Sequence, residues 1–552
     1  MNDLGKQILN GLSKASLIFL LTLTVIGTGL RLNNLGGPGL WWDEMMTLLM
    51  ASGNAQSQLG AVRPYQETQV DVLVANANRL HEMVATKPAF SPVGVLQDIY
   101  KYEPSHPPLY YLLGNLSLSL FGYSEFAIRL PTALAGGLTI PFLFLLGRRL
   151  SNQKVGLIAA GLFALAPVPV YYGQEAKMYS LLMLSGVVST WMLIDLSFGW
   201  REATKEAHWP KWFAYSLMTA MGLYTQYLYV CMLAVHFLFV AMSHFRDRIF
   251  LGRWITSMGL VFVCYLPWLL VLLLRAGEVP SGPTFPLSWH GTGPPVFKLI
   301  RSTIEGALKF VWASELRPHK IVWLWISLIS IGLLTVHRRS GLWLIPLWAA
   351  IPLATVVIFD IAHGTNNSRV IRYYLLSAPA IYLLVSLGID YIRPRKLSQL
   401  VAGAVLIYLA VGGYLTTEGK INKRIETKEA GRWISEVYQP ADTVVVVTSY
   451  QNVIRAINLA YYASGPEKIT TIKADNFGKV DLSCFALQSQ PSNHIIVIAV
   501  LLKAITSKQF DPSSVLGGKR VLEFMDSRSF RELSVFRYRI QKPKVECIAG
   551  TT

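Results

Sequence analysis

Residues 15–44 read ASLIFLLTLTVIGTGLRLNNLGGPGLWWDE. An apolar run ends in a single arginine, a glycine-proline break follows, and the chain then reaches Trp41-Trp42-Asp43-Glu44. A run of about 18 such residues is long enough to cross a hydrocarbon core as a helix. Tryptophan gathers at membrane–water boundaries, so Asp43 and Glu44 are expected just outside the first span. Either these carboxylates are simply solvated there, or they serve a reaction on a lipid-linked substrate.

The chain as a whole favours a membrane setting. Its 552 residues are 52% hydrophobic and 15% charged, with a mean hydropathy of +0.40, the balance of a polytopic membrane protein. Apolar runs recur near 15–32, 127–146, 155–172, 179–196, 212–224, 226–242, 254–274, 321–336, 341–359, 373–391 and 398–416, which predicts a polytopic α-helical membrane protein of about 11 spans.

Short cytoplasmic loops concentrate lysine and arginine. Arg148, Arg149 and Lys154 form one cluster, Arg201, Lys205 and Lys211 a second, and Arg246, Arg248 and Arg253 a third. Arg338 with Arg339, then Arg393, Arg395 and Lys396, complete the series. All fall on one side if Leu109–Phe121, short for a span, stays juxtamembrane or re-entrant. This threading predicts a multi-pass protein of the cell inner or plasma membrane, with a cytoplasmic N-terminus and an extracytoplasmic C-terminus. The first run has no small-residue cleavage site after it and reads as a retained signal anchor.

The net charge of +18 and pI near 9.6 do not indicate nucleic acid, because the basic residues are spread among loops without a basic-aromatic platform. Anionic lipid headgroups account for the charge better. Cys231 and Cys264 fall inside spans and read as small buried hydrophobes, whereas Cys484 and Cys547 could pair if their side is oxidising.

Two domains are expected. Residues 1–416 form the membrane body, with residues 33–107 as a large first external loop carrying juxtamembrane helices, one of them an amphipathic helix at Val70–Val84. Residues 417–552 form a C-terminal α/β domain: Glu429–Tyr438 and Val453–Tyr462 read as helices, Thr443–Thr448 and Ile495–Val500 as strands. Pro294–Ala313 has an amphipathic pattern that suits a cavity wall or a helix lying on the membrane.

Four polar clusters fall on the outer face by this topology. The first is Asp43 with Glu44, beside Trp42. The second runs Tyr102-Glu103-Pro104-Ser105-His106-Pro107-Pro108-Leu109-Tyr110-Tyr111, where prolines fix the backbone before an apolar helix. The third, Tyr171-Tyr172-Gly173-Gln174-Glu175-Ala176-Lys177-Met178-Tyr179, is a short turn between spans. The fourth, Asn366-Asn367-Ser368-Arg369-Val370-Ile371-Arg372-Tyr373-Tyr374, sets two arginines three apart, on one face if already helical. Each has a plain structural reading: interface anchoring, a helix start, a solvated loop, snorkelling arginines. Their convergence is what favours a site.

The ordered set resembles a known family. An acidic pair after the first span, a His-Pro-Pro-Leu-Tyr-Tyr stretch, and Arg129-Leu130-Pro131 opening a span that ends in Gly147-Arg148-Arg149-Leu150 are similar to the GT-C glycosyltransferases. Within them the chain resembles the bacterial branch of the protein O-mannosyltransferase and lipid A aminoarabinose transferase group, over roughly residues 15–200 and again at Arg369–Pro379. The resemblance implies transfer of a sugar from a polyprenyl phosphate on the outer face, with inversion in a single displacement. It implies Asp43 as the catalytic acid position, Glu44 as its neighbour, and His106 at the family's histidine or basic position. Lys177 stands where arginine is frequent, and Glu175 takes the place of a nearby aspartate.

The chemistry agrees with that implication. Transfer to a hydroxyl needs a base within hydrogen-bond reach, and Asp43 is the choice. The leaving lipid phosphate needs fixed donors for its growing charge, and His106, Lys177, Arg369 and Arg372 are the candidates. Trp42, Glu103, Tyr110, Glu175, Tyr179 and Tyr373 are expected to line the substrate cavity. No metal is chemically required by a monophosphate leaving group, and no metal-ligand spacing is visible; a divalent metal is possible but unsupported, and no cofactor is expected. The expected partners are the donor lipid, the bilayer and an acceptor protein, lipid or cell-envelope glycan. The alternative function is a secondary transporter or lipid-linked sugar flippase, which would favour repeated halves and midplane charges. A membrane-anchored binding protein would need a ligand motif in the tail.

Overall fold

The computed structural model describes residues 12–54, 62–64, 73–76, 89–104, 106–202, 209–275, 296–311, 321–336, 341–365, 367–439, 443–448, 461–463, 468–473, 494–500, 522–529 and 533–540. The chain forms two units. One comprises Met1–Leu35, Ile99–Leu113 and Arg129–Gly419, and the other Gly36–Asp98, Gly114–Ile128 and Lys420–Thr552.

The first unit is helical. Among the described residues eight helices are long and apolar enough to cross a membrane: Lys14–Leu32, Glu125–Leu150, Tyr179–Gly199, Tyr227–His244, Arg248–Leu274, Leu344–His363, Ile371–Tyr391 and Arg395–Glu418. Three of the runs expected to span are not among these eight. The run at 155–172 breaks into Gln153–Leu165 and Pro167–Tyr172, because Ala166 turns extended (ψ 138°) and Pro167 opens the second piece, a position that proline favours and where its missing N–H costs nothing. The other two are Trp209–Thr225 and Ile321–Val336. Leu109–Phe121 is a 13-residue helix.

Lipid offers no hydrophobic drive between helices, so membrane bundles rely on small residues that allow backbones to approach. The helices Ile321–Val336 and Ala378–Tyr391 meet in this way. A Cβ on Gly332 would collide with Leu384 O, and one on Gly388 with Leu328 O.

Several basic loops are clipped by two aspartates. Asp195 lies 3.5 Å from Arg149 Nε and 3.0 Å from Lys211 Nζ. Asp390 lies 3.4 Å from Lys154 Nζ and accepts from Asn152 Nδ2 at 2.9 Å, while Arg393 donates to its carbonyl at 2.7 Å. Sequence-distant basic clusters therefore gather in pairs around one acid each.

The second unit carries a seven-stranded sheet in the order β1-β2-β4-β3-β5-β7-β6. The strands are β1 Val62–Pro64, β2 Leu73–Asn76, β3 Thr443–Thr448, β4 Lys468–Lys473, β5 His494–Val500, β6 Leu522–Ser529 and β7 Leu533–Ile540. β3 runs parallel to β4 and β5, and the other pairs are antiparallel. The amphipathic helix expected at Val70–Val84 is not formed at Leu73–Asn76, which pairs with β4 instead; the remainder of that segment lies outside the described residues. Of the helix expected at Val453–Tyr462, only Tyr461 and Tyr462 are described, both helical. Cys484 and Cys547 also lie outside the described residues.

Candidate functional site

In the second unit, Asp43 and Glu44 open the helix Trp42–Ala51. Acids suit a helix N-terminus, where backbone N–H groups lack intrahelical partners. Glu44 is fully buried, and its Oε2 accepts from Trp41 N at 3.3 Å, the glutamate half of a capping box. Asp43 is half-buried; its carbonyl accepts from Thr47 Oγ1 at 2.8 Å. Trp42 is the first helical residue, and its side chain lies outside the described set.

The approach to this helix is tied down within the same unit. Glu125 Oε1 accepts from Lys428 Nζ at 2.8 Å and from Tyr462 O–H at 3.1 Å. Tyr462 Oη accepts from Leu40 N at 2.7 Å, and Lys428 also donates to Gly36 O at 3.3 Å. The chain between Gly36 and Leu40 is thereby anchored from both ends, which fixes where the acidic pair begins.

In the first unit, His106 Nδ1 lies 2.7 Å from Glu103 Oε1. The turn between them is held by Tyr227, whose hydroxyl donates to Pro104 O at 2.9 Å and accepts from Trp268 Nε1 at 3.1 Å. Ser105 lies outside the described residues. Tyr110 is buried in the helical core at 1% exposure, which sets it apart from the half-buried His106.

The stretch Gly173–Tyr179 is buried throughout, so it is not a solvated loop. Tyr172 packs edge-on against Tyr171 and Tyr179, each at 5.1 Å between centroids. Glu175 is 2% and Lys177 5% exposed. The Lys177 ammonium has no hydrogen bond or ion pair among the described residues. Tyr172 also lies within electrostatic reach of Glu175, Arg372 and Tyr374, which brings the third and fourth clusters together.

The arginine segment is not one helix. Asn367–Arg369 and Ile371–Ser377 are separate 3-10 turns, parted at Val370 (φ −107°, ψ 103°). Arg369 and Arg372 consequently do not share one helical face, as their spacing would allow. Arg369 is exposed, whereas Arg372 is half-buried with its guanidinium 5.4 Å from the Tyr373 ring centroid. Asp360 organises the segment: its carboxylate accepts from Thr365 Oγ1 at 2.5 Å, Asn367 N at 2.8 Å and Ser368 N at 2.7 Å. Asn366 lies outside the described residues.

Sequence reasoning passed over Asp360, Tyr227 and Trp268. An acid near the end of an otherwise apolar helix was the available signal for Asp360; nothing local distinguishes Tyr227 or Trp268 from other span aromatics. No group of three metal-ligating side chains occurs among the described residues.

Residues 105–270 match the family model of dolichyl-phosphate-mannose-protein mannosyltransferase, a stretch that takes in His106, Glu175 and Lys177. ArnT from Cupriavidus metallidurans, in its apo state, has a similar structure, with a TM-score of 0.60 and 13% identity over 95% of this chain and 98% of that one. The chain is similar to the GT-C glycosyltransferases. The same ArnT bound to undecaprenyl phosphate gives a TM-score of 0.58 at 12% identity, with 95% and 98% of the two chains covered. The archaeal oligosaccharyltransferase AglB from Archaeoglobus fulgidus, in complex with an inhibitory peptide and a dolichol-phosphate, gives 0.51 at 12% identity, over 97% of this chain and 75% of that one. At these identities the likeness is one of GT-C fold. No curated protein matches the chain.

Proposed function

We propose that the protein is a membrane glycosyltransferase that moves a sugar from a polyprenyl-phosphate donor to an acceptor hydroxyl on the extracytoplasmic face. The observation that carries this reading is Lys177, a lysine only 5% exposed whose ammonium has no hydrogen-bonded or ion-paired partner among the described residues. A cation held at a mostly buried turn is favoured by a nearby counter-charge, which an anionic headgroup arriving there supplies. The similarity to ArnT, whose structure has been solved with undecaprenyl phosphate bound, supports a polyprenyl phosphate as that anion.

In this reading the donor phosphate is held by Lys177 and Arg372, with His106 as a further hydrogen-bonding group and Arg369 contributing charge. Arginine suits the task because its fork matches two phosphate oxygens at once. Such donors stabilise the charge that grows on the phosphate as the glycosidic bond breaks. Asp43 removes the acceptor proton as the acceptor oxygen attacks the anomeric carbon from the opposite side, so the anomeric configuration inverts. Glu44 holds the helix that presents Asp43. Glu103, Glu175, Tyr179 and Tyr373 shape the sugar and headgroup environment. The N-terminus is cytoplasmic in this arrangement, and residues 417–552 form an extracytoplasmic α/β domain.

Transfer of radiolabelled sugar from a panel of polyprenyl-phosphate sugars to membrane and envelope fractions tests the proposal, with the intact protein compared against Asp43→Asn. Transfer lost in a normally expressed variant supports it and identifies donor and acceptor fraction. Absence of transfer from every donor with the intact protein counts against the enzyme, and equal transfer by both proteins removes Asp43 as base.

A further inference from the structure

Arg31 ends the first apolar helix, where a sequence reading leaves it as an interfacial charge. The structure buries it completely. Its Nη1 donates to Gly27 O at 2.6 Å and Ala164 O at 3.0 Å, and its Nη2 to Phe163 O at 2.9 Å. Phe163 would ordinarily bond to the N–H four residues on, but that residue is Pro167, which has none. Ala164 loses its partner because the helix stops at Leu165. Arg31 therefore satisfies carbonyls that the break at Ala166-Pro167 leaves open, with its cation at the negative end of a helix.

The same side chain forms a floor beneath the Lys177 turn. A Cβ on Gly173 would stand 2.8 Å from Arg31 Cγ and 3.0 Å from Nε, and one on Gly136 would stand 2.6 Å from Nε. Gly173 has ordinary helical dihedrals (φ −69°, ψ −13°), so its glycine is needed for space and not for backbone freedom. The next residue, Gln174, donates from Nε2 to Leu30 O and Asn33 O, both at 3.0 Å. The start of the turn is thus pinned to the end of the first helix from below and from the side.

We propose that Arg31 is a positioning residue: through Gly173 it sets the turn that carries Glu175 and Lys177, and so places the Lys177 ammonium for the donor phosphate without touching the donor. This rests on the reading of Lys177 as a phosphate-binding group.

The test uses the full-length protein in detergent, with thermal unfolding checked for each variant, and measures donor KM and kcat for intact protein, Arg31→Lys, Gly173→Ala, Lys177→Met and the two pairwise combinations with Lys177→Met. Arg31→Lys and Gly173→Ala are each expected to raise donor KM about fivefold or more with kcat within about twofold, the signature of lost ground-state binding. Neither is expected to raise it further in the Lys177→Met background, because residues acting through one another are not additive. Unchanged donor KM in both single variants, or effects that multiply in the doubles, would overturn the proposal. If Lys177→Met itself leaves donor KM unchanged, the phosphate reading fails and Arg31 is a helix cap alone. Should Arg31→Lys fail to fold, Gly173→Ala carries the same cycle.

Discussion

Glu44 Oε2 accepts a hydrogen bond from Trp41 N–H, at 3.3 Å, across the first turn of the helix that Asp43 also opens. On the proposed reading, Glu44 serves as a cap and Asp43 as the base. Asp43→Asn should lower turnover by about 10²–10⁴-fold, the usual worth of a general base, while lowering stability by no more than about 1 kcal/mol, the worth of an acid at a helix N-terminus. Glu44→Gln keeps an oxygen that can accept the same bond and should stay active, while Glu44→Ala should lose about 1 kcal/mol of stability as a cap. Sugar-transfer rates and thermal melts in detergent check both. A Glu44→Gln protein as inactive as Asp43→Asn would reverse the assignment.

Burial separates the two arginines that sequence spacing made equivalent. Removing a charged hydrogen-bonding group costs roughly 1.5–3 kcal/mol, so Arg372→Ala should raise donor KM about 10- to 100-fold. The exposed Arg369 should matter far less, with a change of about twofold for Arg369→Ala. Equal effects of the two substitutions on donor KM would show that exposure is the wrong criterion here.

Asp360 is 1% exposed and accepts three hydrogen bonds, from a hydroxyl and two backbone amides. Asp360→Ala leaves those donors unpaired in a buried place, which should destabilise the protein by roughly 3 kcal/mol. It should also raise donor KM, because the arginine segment loses its anchor. Asp360→Asn retains one acceptor oxygen and should fall between. A melt that drops while donor KM stays fixed would separate the anchor from the binding role.

The close approach at Gly388 predicts a stability effect with no functional residue nearby. A Cβ there meets a backbone oxygen, Leu328 O, and not a side chain that can swing aside, so Gly388→Ala should cost about 1–3 kcal/mol or more through overpacking. Gly252 has nothing within 4 Å of the same atom, and Gly252→Ala, in the helix Arg248–Arg275, should be neutral or slightly stabilising by up to about 1 kcal/mol. Detergent melts of the two variants distinguish close packing from a general intolerance of alanine.

The helical bundle was legible because the bilayer imposes length and hydropathy on each span, and both are properties of single segments. The ordered clusters around Asp43, His106, Lys177 and Arg372 were legible as residue types in sequence order. What covers a turn was not. Gly173–Tyr179 has the composition of a solvated loop, yet it is buried, with Arg31, distant in sequence, packed against Gly173 at its start. Arg369 and Arg372 would share a face only if the segment were already helical, and the break at Val370 is a backbone choice with no local signal. Leu73–Asn76 shows an amphipathic helical pattern, and pairing with β4 overrides it, as strand formation depends on neighbours more than on intrinsic preference.

That pairing joins Leu73 to Thr471 and Asn76 to Lys468, so the edge offered by β2 has no mate until almost the whole chain has been synthesised. An edge without its partner strand can pair with other extended chains. The brevity of β1 and β2, three and four residues, limits what could zip onto them. A ribosome stalled before residue 468 would leave a chain with its spans inserted and this sheet still unclosed, and such truncated products should be the ones that aggregate or are degraded first.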